Sequence, residues 1–340
     1  MNSKENKSTM DFYLINQEEY SKTTIKDLDE KKMFQEMCIL REMELLLDGL
    51  YQKNEIQGFC HLVVGQEPIY IALKNVINGD KVIGSYRCHG LAYSSGIPIQ
   101  EIVCETLGRA NGNCKGKGGS MHLYNETFFG GHGIVGAQVS LGIGIAYALK
   151  YKEHANTPPK NVCFAFYGDG ASNQGQVFES FNMAKLWKLP VVFVCENNFY
   201  GMWTPEKNVS SNSEYYKRGI NIPGIRVDGN DIEELHRAFA YSKEYAKANG
   251  PIIIQIDTYR TCGHSCVDKT NFYRDQKEVE EKKHCDGLSK LKAILEVKTS
   301  KKDVEKIETE AKNIISDLHK FASNSNYPSV QELYTEVLKE

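Results

Sequence analysis

Two short motifs at the ends of adjacent predicted strands carry the side chains best suited to chemistry. Asp169 stands between Gly168 and Gly170 directly after an apolar run, and Asn198 follows a second apolar run about thirty residues later. The carboxyl ends of neighbouring parallel strands meet at one edge of a sheet, where open α/β sheets bind ligands. A carboxylate and a carboxamide suit Mg²⁺, which shares an oxygen shell with substrate phosphates. We therefore predict a magnesium–diphosphate site, with the backbone carbonyl of Tyr200 as a third protein ligand.

The residues around Asp169 also suit a phosphate group. Gly168 and Gly170 lack a Cβ, so the backbone can approach phosphate closely. A helix predicted from Ala171 would direct its free N–H groups at the anion. A lone Gly-Asp-Gly is a common turn, and only its pairing with the second motif makes the metal site the better interpretation.

Alternating apolar runs and helical patterns predict an α/β fold with a mostly parallel sheet flanked by helices. We expect an N-cap at Asp231, and tight packing of one helix at Gly142 and Gly144. The segment 108–136 is rich in glycine and lacks periodicity, which predicts a functional loop. Strands are predicted at 82–86, 162–167, 191–194, 222–228 and 252–258, and helices at 31–53, 99–107, 139–151, 171–189 and 232–248.

The pattern divides the chain into three parts. Residues 1–28 are predicted to be a polar N-terminal arm. Residues 29–275 are predicted to form the α/β domain, and residues 276–340 a charged helical extension packed on it. The Lys and Glu runs of that extension are most simply explained as solvated helix faces.

Composition excludes several classes of function. The net charge of −3 and the lack of a basic stripe argue against nucleic-acid binding. No apolar stretch is long enough to predict a membrane span. Ten cysteines without a CxxC pair favour buried thiols in a reducing compartment over a disulfide framework. Cys262 and Cys266 flank a histidine, but the spacing offers no further ligands for a zinc site.

A glycine pattern at 131, 133 and 136 matches the dinucleotide-binding fingerprint by letter. It follows an aromatic loop at 125–129 instead of a predicted strand, so the structural context of the fingerprint is missing. A nicotinamide-dependent oxidoreductase is therefore a weak alternative.

The motifs at 168–170 and 197–198 resemble the diphosphate-binding fingerprint of thiamine diphosphate enzymes. Further segments resemble the alpha subunits of 2-oxo acid dehydrogenases, in particular those of the decarboxylating component of pyruvate dehydrogenase complexes. The resemblance covers about residues 30–275 and implies the thiamine diphosphate-binding fold. The segments are GFCHL at 58–62, GQE at 65–67, YRCHG at 86–90, GKGGSMH at 116–122, GIVGAQ at 133–138, NQGQ at 173–176, YYKRG at 215–219 and the segment 259–265.

The resemblance implies that thiamine diphosphate and Mg²⁺ are the cofactors. Arg87 offers a planar fork of donors to a diphosphate oxygen, whereas a solvent ion pair is the simpler alternative. Backbone carbonyls near Gly133 and Val135 are expected to accept hydrogen bonds from the aminopyrimidine ring. The implied cofactor contacts are Tyr86, Arg87, Gly133, Val135, Asp169, Gly170, Ala171, Asn198 and His264, and the implied metal ligands are Asp169, Asn198 and Tyr200.

Two histidines are candidate catalytic residues. His61 and His264 could handle protons, since imidazole titrates near working pH, although a single histidine is more often structural. The resemblance implies that both position substrate and stabilise anionic intermediates.

The resemblance also implies a regulatory phosphorylation site at Ser265, where about two added negative charges would repel the diphosphate and disorder the loop. An ordinary loop serine is the alternative. The chain departs from the family at Cys262, where a histidine is usual. Two further family phosphosites fall at Pro205 and Phe272, which cannot accept phosphate.

The implied activity is oxidative decarboxylation of pyruvate with transfer of the two-carbon unit to a lipoyl group. The implied partners are a beta subunit in an alpha2-beta2 assembly, which supplies the glutamate for the cofactor ring, and a lipoyl-bearing acetyltransferase. Regulation would add a kinase and a phosphatase. The alternatives are an alpha subunit of a branched-chain 2-oxo acid or acetoin dehydrogenase, or a non-catalytic subunit of this fold.

The resemblance implies a mitochondrial matrix location. Residues 1–9 carry Lys and Glu without Arg or an apolar core, unlike a typical transit peptide, so the cytoplasm is the alternative.

Overall fold

A computed structural model describes residues 10–25, 28–153, 157–268, 273–284 and 286–336. Its strands are β1 (Asp11–Tyr13), β2 (Lys81–Ser85), β3 (Phe128–His132), β4 (Cys163–Gly168), β5 (Val191–Asn197), β6 (Gly224–Asp228) and β7 (Ile252–Asp257). Its helices are α1 (Gln17–Ser21), α2 (Glu30–Gln52), α3 (Glu67–Lys74), α4 (His89–Ser94), α5 (Ile99–Thr106), α6 (Ala137–Lys152), α7 (Gly175–Leu186), α8 (Ile232–Asn249), α9 (Gln276–His284), α10 (Gly287–Lys298) and α11 (Lys301–Asn324).

The strands form one seven-stranded sheet in the order β1-β6-β7-β5-β4-β2-β3. All neighbours pair in parallel except β1, which pairs antiparallel with β6. The predicted α/β fold with a mostly parallel sheet is confirmed. Strand β1 lies within the predicted N-terminal arm, so part of that segment extends the edge of the sheet.

Helices cover both faces of the sheet, which explains why its central strands are continuous apolar runs. Phe164 and Phe166 of β4 pack into the core under α8, whereas Ala165 and Tyr167 pack against α6 and α7 on the other face. Every residue of β5 is buried. The strand ends that carry the two motifs are therefore fixed from both sides.

Helix α2 joins the C-terminal extension to the domain. Its N-cap Asp29 accepts a hydrogen bond from the backbone N–H of Lys32, and its apolar stripe is buried. Phe34 and Met37 on this stripe pack with Leu291 of α10. The predicted N-cap at Asp231 is also confirmed, since its side chain accepts a hydrogen bond from the N–H of Glu234.

The prediction of an uninterrupted loop at 108–136 is wrong, because β3 pairs with β2 at the edge of the sheet. A Cβ on Gly131 would lie 2.4 Å from the Met121 carbonyl oxygen, so glycine is needed for this close approach. Contrary to expectation, strand β3 therefore runs into the start of the glycine pattern at 131–136. The dinucleotide fingerprint still fails, because Gly131 lies inside the strand and not after it.

The predicted continuous helix at 171–189 is interrupted. A short 3₁₀ helix at Ala171–Asn173 follows Gly170, and Gln174 is extended before α7 begins. The residues after Gly170 therefore form a tight turn of 3₁₀ helix instead of the first turn of a long helix.

The two glycines of α6 differ in their surroundings. A Cβ on Gly142 would lie 2.8 Å from the Cβ of Ala165, so this glycine packs the helix tightly onto β4, as predicted. A Cβ on Gly144 would meet no atom within 4 Å, so the prediction of tight packing is wrong at Gly144.

Candidate functional site

A cavity of about 360 Å³ opens at the carboxyl ends of β2, β4 and β5. This is the edge at which the sequence places the two motifs. Nine of the predicted site residues line the cavity: Tyr86, Arg87, Val135, Asp169, Gly170, Ala171, Asn198, Tyr200 and His264. Residues from five separate segments of the chain thus meet around one space.

The predicted metal ligands Asp169 and Asn198 are both buried beside the cavity, with 4% and 9% of their surfaces exposed. Burial raises the pKa of the Asp169 carboxyl, while the charge of Arg260 opposes that shift. Asn198 Oδ1 is buried and accepts no hydrogen bond from the described residues. An unpaired buried acceptor beside a desolvated carboxylate fits a hard cation, because the cation would satisfy both groups.

In the described part of the chain, no three His, Cys, Asp or Glu side chains cluster to hold a metal. The predicted magnesium shell would draw instead on one carboxylate, one carboxamide, a backbone carbonyl and ligand phosphates. The carbonyl oxygen of Tyr200 already accepts a hydrogen bond of 2.9 Å from Arg260 Nη2. Its second lone pair remains for the predicted metal contact.

Arg87 is buried and fixed by two backbone carbonyls, so the alternative of a solvent ion pair is wrong. Its Nη1 donates to the Leu62 oxygen and its Nη2 to the His264 oxygen, each at 2.7 Å. Arg260 is buried nearby, and burial lowers its pKa to about 10, with Arg87 adding to the effect. Two desolvated guanidinium groups give this end of the cavity the positive potential that a diphosphate requires.

The rings of Tyr86, His61 and His264 lie together; Tyr86 and His264 line the cavity, whereas the predicted catalytic residue His61 is not among its lining residues. The His61 centroid lies 4.4 Å from that of Tyr86 and 5.6 Å from that of His264. The Tyr86 hydroxyl lies 3.4 Å from His264 Nε2. No described group hydrogen-bonds to the buried Nδ1 atom of either histidine.

Burial, reinforced by the positive charge of Arg87, lowers the pKa of both His61 and His264 to about 2. The expectation that these histidines titrate near working pH is therefore wrong. Neutral imidazoles each offer one donor and one acceptor, so they can hydrogen-bond a substrate without changing charge.

A family model described as "Dehydrogenase E1 component" matches residues 35–331. The chain belongs to this family. The pyruvate dehydrogenase E1 component subunit alpha of Kluyveromyces lactis is 49% identical over 271 residues, which are 79% of this chain and 64% of that protein. The type II alpha subunit of Ascaris suum is 42% identical over 91% of this chain and 79% of its own. The alpha subunit of Sminthopsis macroura is 44% identical over 89% of this chain and 83% of its own.

All three relatives are named as mitochondrial pyruvate dehydrogenase E1 alpha subunits. The matched part of this chain spans just under two thirds of the Kluyveromyces lactis protein. The resemblance drawn from the motifs is confirmed, since it named this family.

The 133–136 turn of this E1 chain lies at the surface. Ile134 is 74% exposed and Val135 41% exposed, and the Val135 carbonyl accepts a hydrogen bond of 3.3 Å from Gln176 Nε2. Gly133 is not among the residues that line the cavity. Of the two predicted aminopyrimidine contacts, Val135 therefore lies at the exposed edge of the cavity and Gly133 lies outside its lining.

Ser265 does not line the cavity, and it is buried, with 5% of its surface exposed. The backbone N–H of His264 donates to Asp268 Oδ2 at 2.8 Å, which closes the loop around the serine. A kinase could reach the hydroxyl only after this loop opens. Of the two substituted family phosphosites, Pro205 is described, whereas Phe272 lies outside the described residues.

Two buried polar residues of the cavity were missed by sequence reasoning. Glu196 is the second-last residue of β5 and accepts a hydrogen bond of 2.8 Å from the Tyr70 hydroxyl, and burial raises its pKa to about 7. Gln138 donates from Nε2 to the Phe166 oxygen at 3.1 Å, which leaves Oε1 buried and unpaired among the described residues. The signal for Glu196 is a charged residue at the end of an apolar run, directly before Asn197-Asn198.

Proposed function

We propose that this chain is the alpha subunit of a pyruvate dehydrogenase (acetyl-transferring). With a beta subunit it would catalyse thiamine diphosphate-dependent oxidative decarboxylation of pyruvate and acetylation of a lipoyl group. The observation that carries the proposal is the unpaired, buried Asn198 Oδ1 beside buried Asp169 in a cavity lined by buried Arg87, with Arg260 buried nearby. The names of the relatives favour pyruvate over a branched-chain substrate or acetoin.

The residues of the cavity fit both cofactors. Asp169, Asn198 and the Tyr200 carbonyl would hold Mg²⁺. The diphosphate would lie against Tyr86, Arg87, Gly170, Ala171 and His264, and the aminopyrimidine against the carbonyls of Gly133 and Val135. When bound, thiamine diphosphate supplies the nucleophilic carbon and the electron sink that decarboxylation requires.

The chain itself contributes positioning and electrostatics. Arg87 donates to the carbonyls of Leu62 and His264, and so holds the segment that contains His61 against the loop after β7. These contacts would fix the positions of both proposed catalytic histidines. His61 and His264 stay neutral and would donate hydrogen bonds to the substrate and to anionic charge that develops on it. Burial of the site strengthens each of these contacts by excluding water.

An exposed apolar groove of about 920 Å³ over α6 and α7 supports the proposal of a beta-subunit partner. It is lined by Ile143, Tyr147, Tyr151, Met183 and Trp187, among others. Apolar surface of this kind marks protein interfaces. The acid that pairs with the cofactor ring would come from the beta subunit, because Glu196 is engaged by Tyr70 and lies near Arg87, at the diphosphate end.

The further proposed partner is a lipoyl-bearing acetyltransferase, and the proposed assembly is an alpha2-beta2 heterotetramer. The proposed location is mitochondrial, as the names of the relatives state for those proteins. No helix in the described part of the chain has the length and apolar character to span a bilayer.

A kinase and a phosphatase would act on Ser265 after the loop opens. We expect Ser265→Ala to remove phosphate incorporation by a cognate kinase, because the two other family phosphosites are replaced here. Incorporation at the wild-type level into Ser265→Ala would contradict regulation through this serine.

Reconstitution tests the proposed activity. The purified chain is combined with its beta subunit, thiamine diphosphate and Mg²⁺, and decarboxylation of pyruvate and 2-oxoisovalerate and cleavage of acetoin are compared. We expect pyruvate to be consumed fastest and the alpha chain alone to be inactive. Faster turnover of 2-oxoisovalerate or acetoin would assign the alternative substrate, and cofactor binding without any turnover would assign a non-catalytic subunit.

A further inference from the structure

Two cysteines meet between the segments that carry the active-site histidines. Cys60 directly precedes His61, and Cys266 lies two residues after His264. The backbone N–H of Cys266 donates to the Cys60 oxygen at 2.9 Å, and the Cys60 thiol is near enough to raise the pKa of the Cys266 thiol. Both thiols are free and buried, with 0% and 5% of the residue surface exposed.

This contact has the geometry that a disulfide needs. With standard backbone dimensions, the hydrogen bond limits the Cα–Cα distance of Cys60 and Cys266 to at most roughly 6.8 Å. Disulfides span Cα–Cα distances of this size, and the hydrogen bond between the two backbones holds the segments at that spacing. A bond between the sulfurs therefore does not require the two segments to move together first.

We propose that Cys60 and Cys266 form a reversible disulfide on exposure to hydrogen peroxide, and that this bond fastens the 262–268 loop to the 58–62 segment. The same two segments are already joined by Arg87, which donates to the Leu62 and His264 oxygens. The disulfide thus reinforces the closed loop and keeps Ser265 buried. The pairing does not depend on the proposed activity.

The oxidation balances with one molecule of peroxide. One thiolate attacks a peroxide oxygen, the O–O bond breaks, and a sulfenic acid and one water result. The second thiol attacks the sulfenic sulfur, the S–S bond forms, and the S–O bond breaks with loss of a second water. Two electrons pass from the sulfurs to the peroxide, and both thiol protons end in water.

The surroundings set the rate of this reaction. The neighbouring Cys60 thiol, together with burial, raises the pKa of the Cys266 thiol, so little thiolate is present at neutral pH. We expect the pair to remain reduced at rest and to oxidise faster as the pH rises. Such behaviour suits a transient disulfide in a reducing compartment.

Peptide mapping tests the pairing in the complete alpha–beta assembly with cofactors bound. After peroxide treatment and non-reducing digestion, we expect one linked pair of peptides containing Cys60 and Cys266. The pair should be two hydrogens lighter than the separate peptides, more abundant at mildly alkaline pH, and absent after reduction. Cys266→Ser should abolish it, whereas Cys38→Ala, at a buried thiol under α10 and α11, should retain it.

The proposal would be overturned if the peptides that contain Cys60 and Cys266 stayed unlinked at a peroxide concentration that oxidises other cysteines of the assembly. Limited proteolysis across 262–268 gives a second readout, in which oxidation should slow cleavage of the wild type but not of Cys266→Ser. Equal slowing in both proteins would also overturn it. Cys266→Ser is preferred to Cys60→Ser because Cys60 is fully buried, so a serine at position 60 would destabilise the fold more.

Discussion

Asn198 Oδ1, His61 Nδ1 and His264 Nδ1 are buried atoms to which no described group hydrogen-bonds. Leaving a polar atom in this state costs about 1–3 kcal/mol, and native proteins tolerate it mainly where a ligand or water supplies the partner. Because these three atoms lie close together in the proposed site, we propose that the cofactors and substrate bind there.

The lowered pKa values of His61 and His264 predict a dependence of stability on pH. Unfolded histidines take up protons below about pH 6.5, whereas these two stay neutral in the fold, so stability should fall as the pH falls below that value. The loss should reach up to roughly 1.4 kcal/mol per pH unit for each histidine. Denaturant unfolding of the wild type and of His61→Gln, from neutral to mildly acidic pH, measures this loss. The free energy of unfolding should fall less steeply with falling pH in the variant than in the wild type.

Histidine NMR signals give the direct control. The ring signals of His61 and His264, assigned from glutamine variants, should not move between neutral pH and about pH 5. Titration of either ring with a midpoint near its ordinary value would contradict the account of a desolvated, positively charged pocket.

The sequence predicts that Asp169 and Asn198 follow neighbouring buried strands, and the structure confirms those strands. That both side chains bind Mg²⁺ stays a prediction. The roles of Gln138, Glu196 and Arg260 depend on which backbone groups approach them in the folded chain, and no local pattern encodes that approach. The lowered pKa values of His61 and His264 cannot be predicted from the sequence for the same reason, because they result from burial and from the charge of Arg87 in the folded chain.

At the scale of elements, strands β4, β5 and β7 are predictable because both faces of each are buried and each begins with a run of apolar residues. Strand β3 escapes prediction, because Gly130 and Gly131 break its pattern while pairing with β2 supplies its hydrogen bonds. The interruption at Gln174 is not predicted either, although Ser172, Asn173 and Gly175 beside it have low helix propensity.

Helix α6 offers a matched pair of glycine substitutions. Gly142→Ala places a Cβ 2.8 Å from that of Ala165, so the helix must shift, and we expect destabilisation of about 1–3 kcal/mol. Gly144→Ala meets open space and should be neutral or stabilising by up to about 1 kcal/mol through helix propensity. Denaturant unfolding of the two variants measures the difference, and equal effects would contradict the packing of α6 on β4.

At the scale of the whole molecule, the chain presents a hydrophobic surface that a monomer would not be expected to leave exposed. Tyr147, Tyr151 and Trp187 are 50%, 78% and 42% exposed, and their rings contact one another over α6 and α7. The mouth of the cavity at Val135 is also exposed. Both features are explained if a second chain covers this side and completes the site.

Substitution of the groove tests that arrangement. Tyr147→Lys places a charge among the apolar lining, and we expect it to weaken association with the beta subunit by at least tenfold, about 1.4 kcal/mol. Tyr334→Lys is the matched control, because Tyr334 is 82% exposed outside the groove. Sedimentation of the mixed chains measures assembly, and equal behaviour of the two variants would exclude the groove as the interface.

Calorimetric titration of thiamine diphosphate into the alpha–beta assembly, with and without Mg²⁺, tests the metal–diphosphate site most directly. We expect thiamine diphosphate to bind only when Mg²⁺ is present. Removal of an outer-shell partner of a metal ligand lowers affinity roughly 10–100-fold, and we expect Asp169→Asn to lower the affinity for thiamine diphosphate by at least as much. The exposed Asp317→Asn on α11 should bind as the wild type does. Binding of equal strength without Mg²⁺, or in Asp169→Asn, would contradict the coordination of a cation between the ends of β4 and β5.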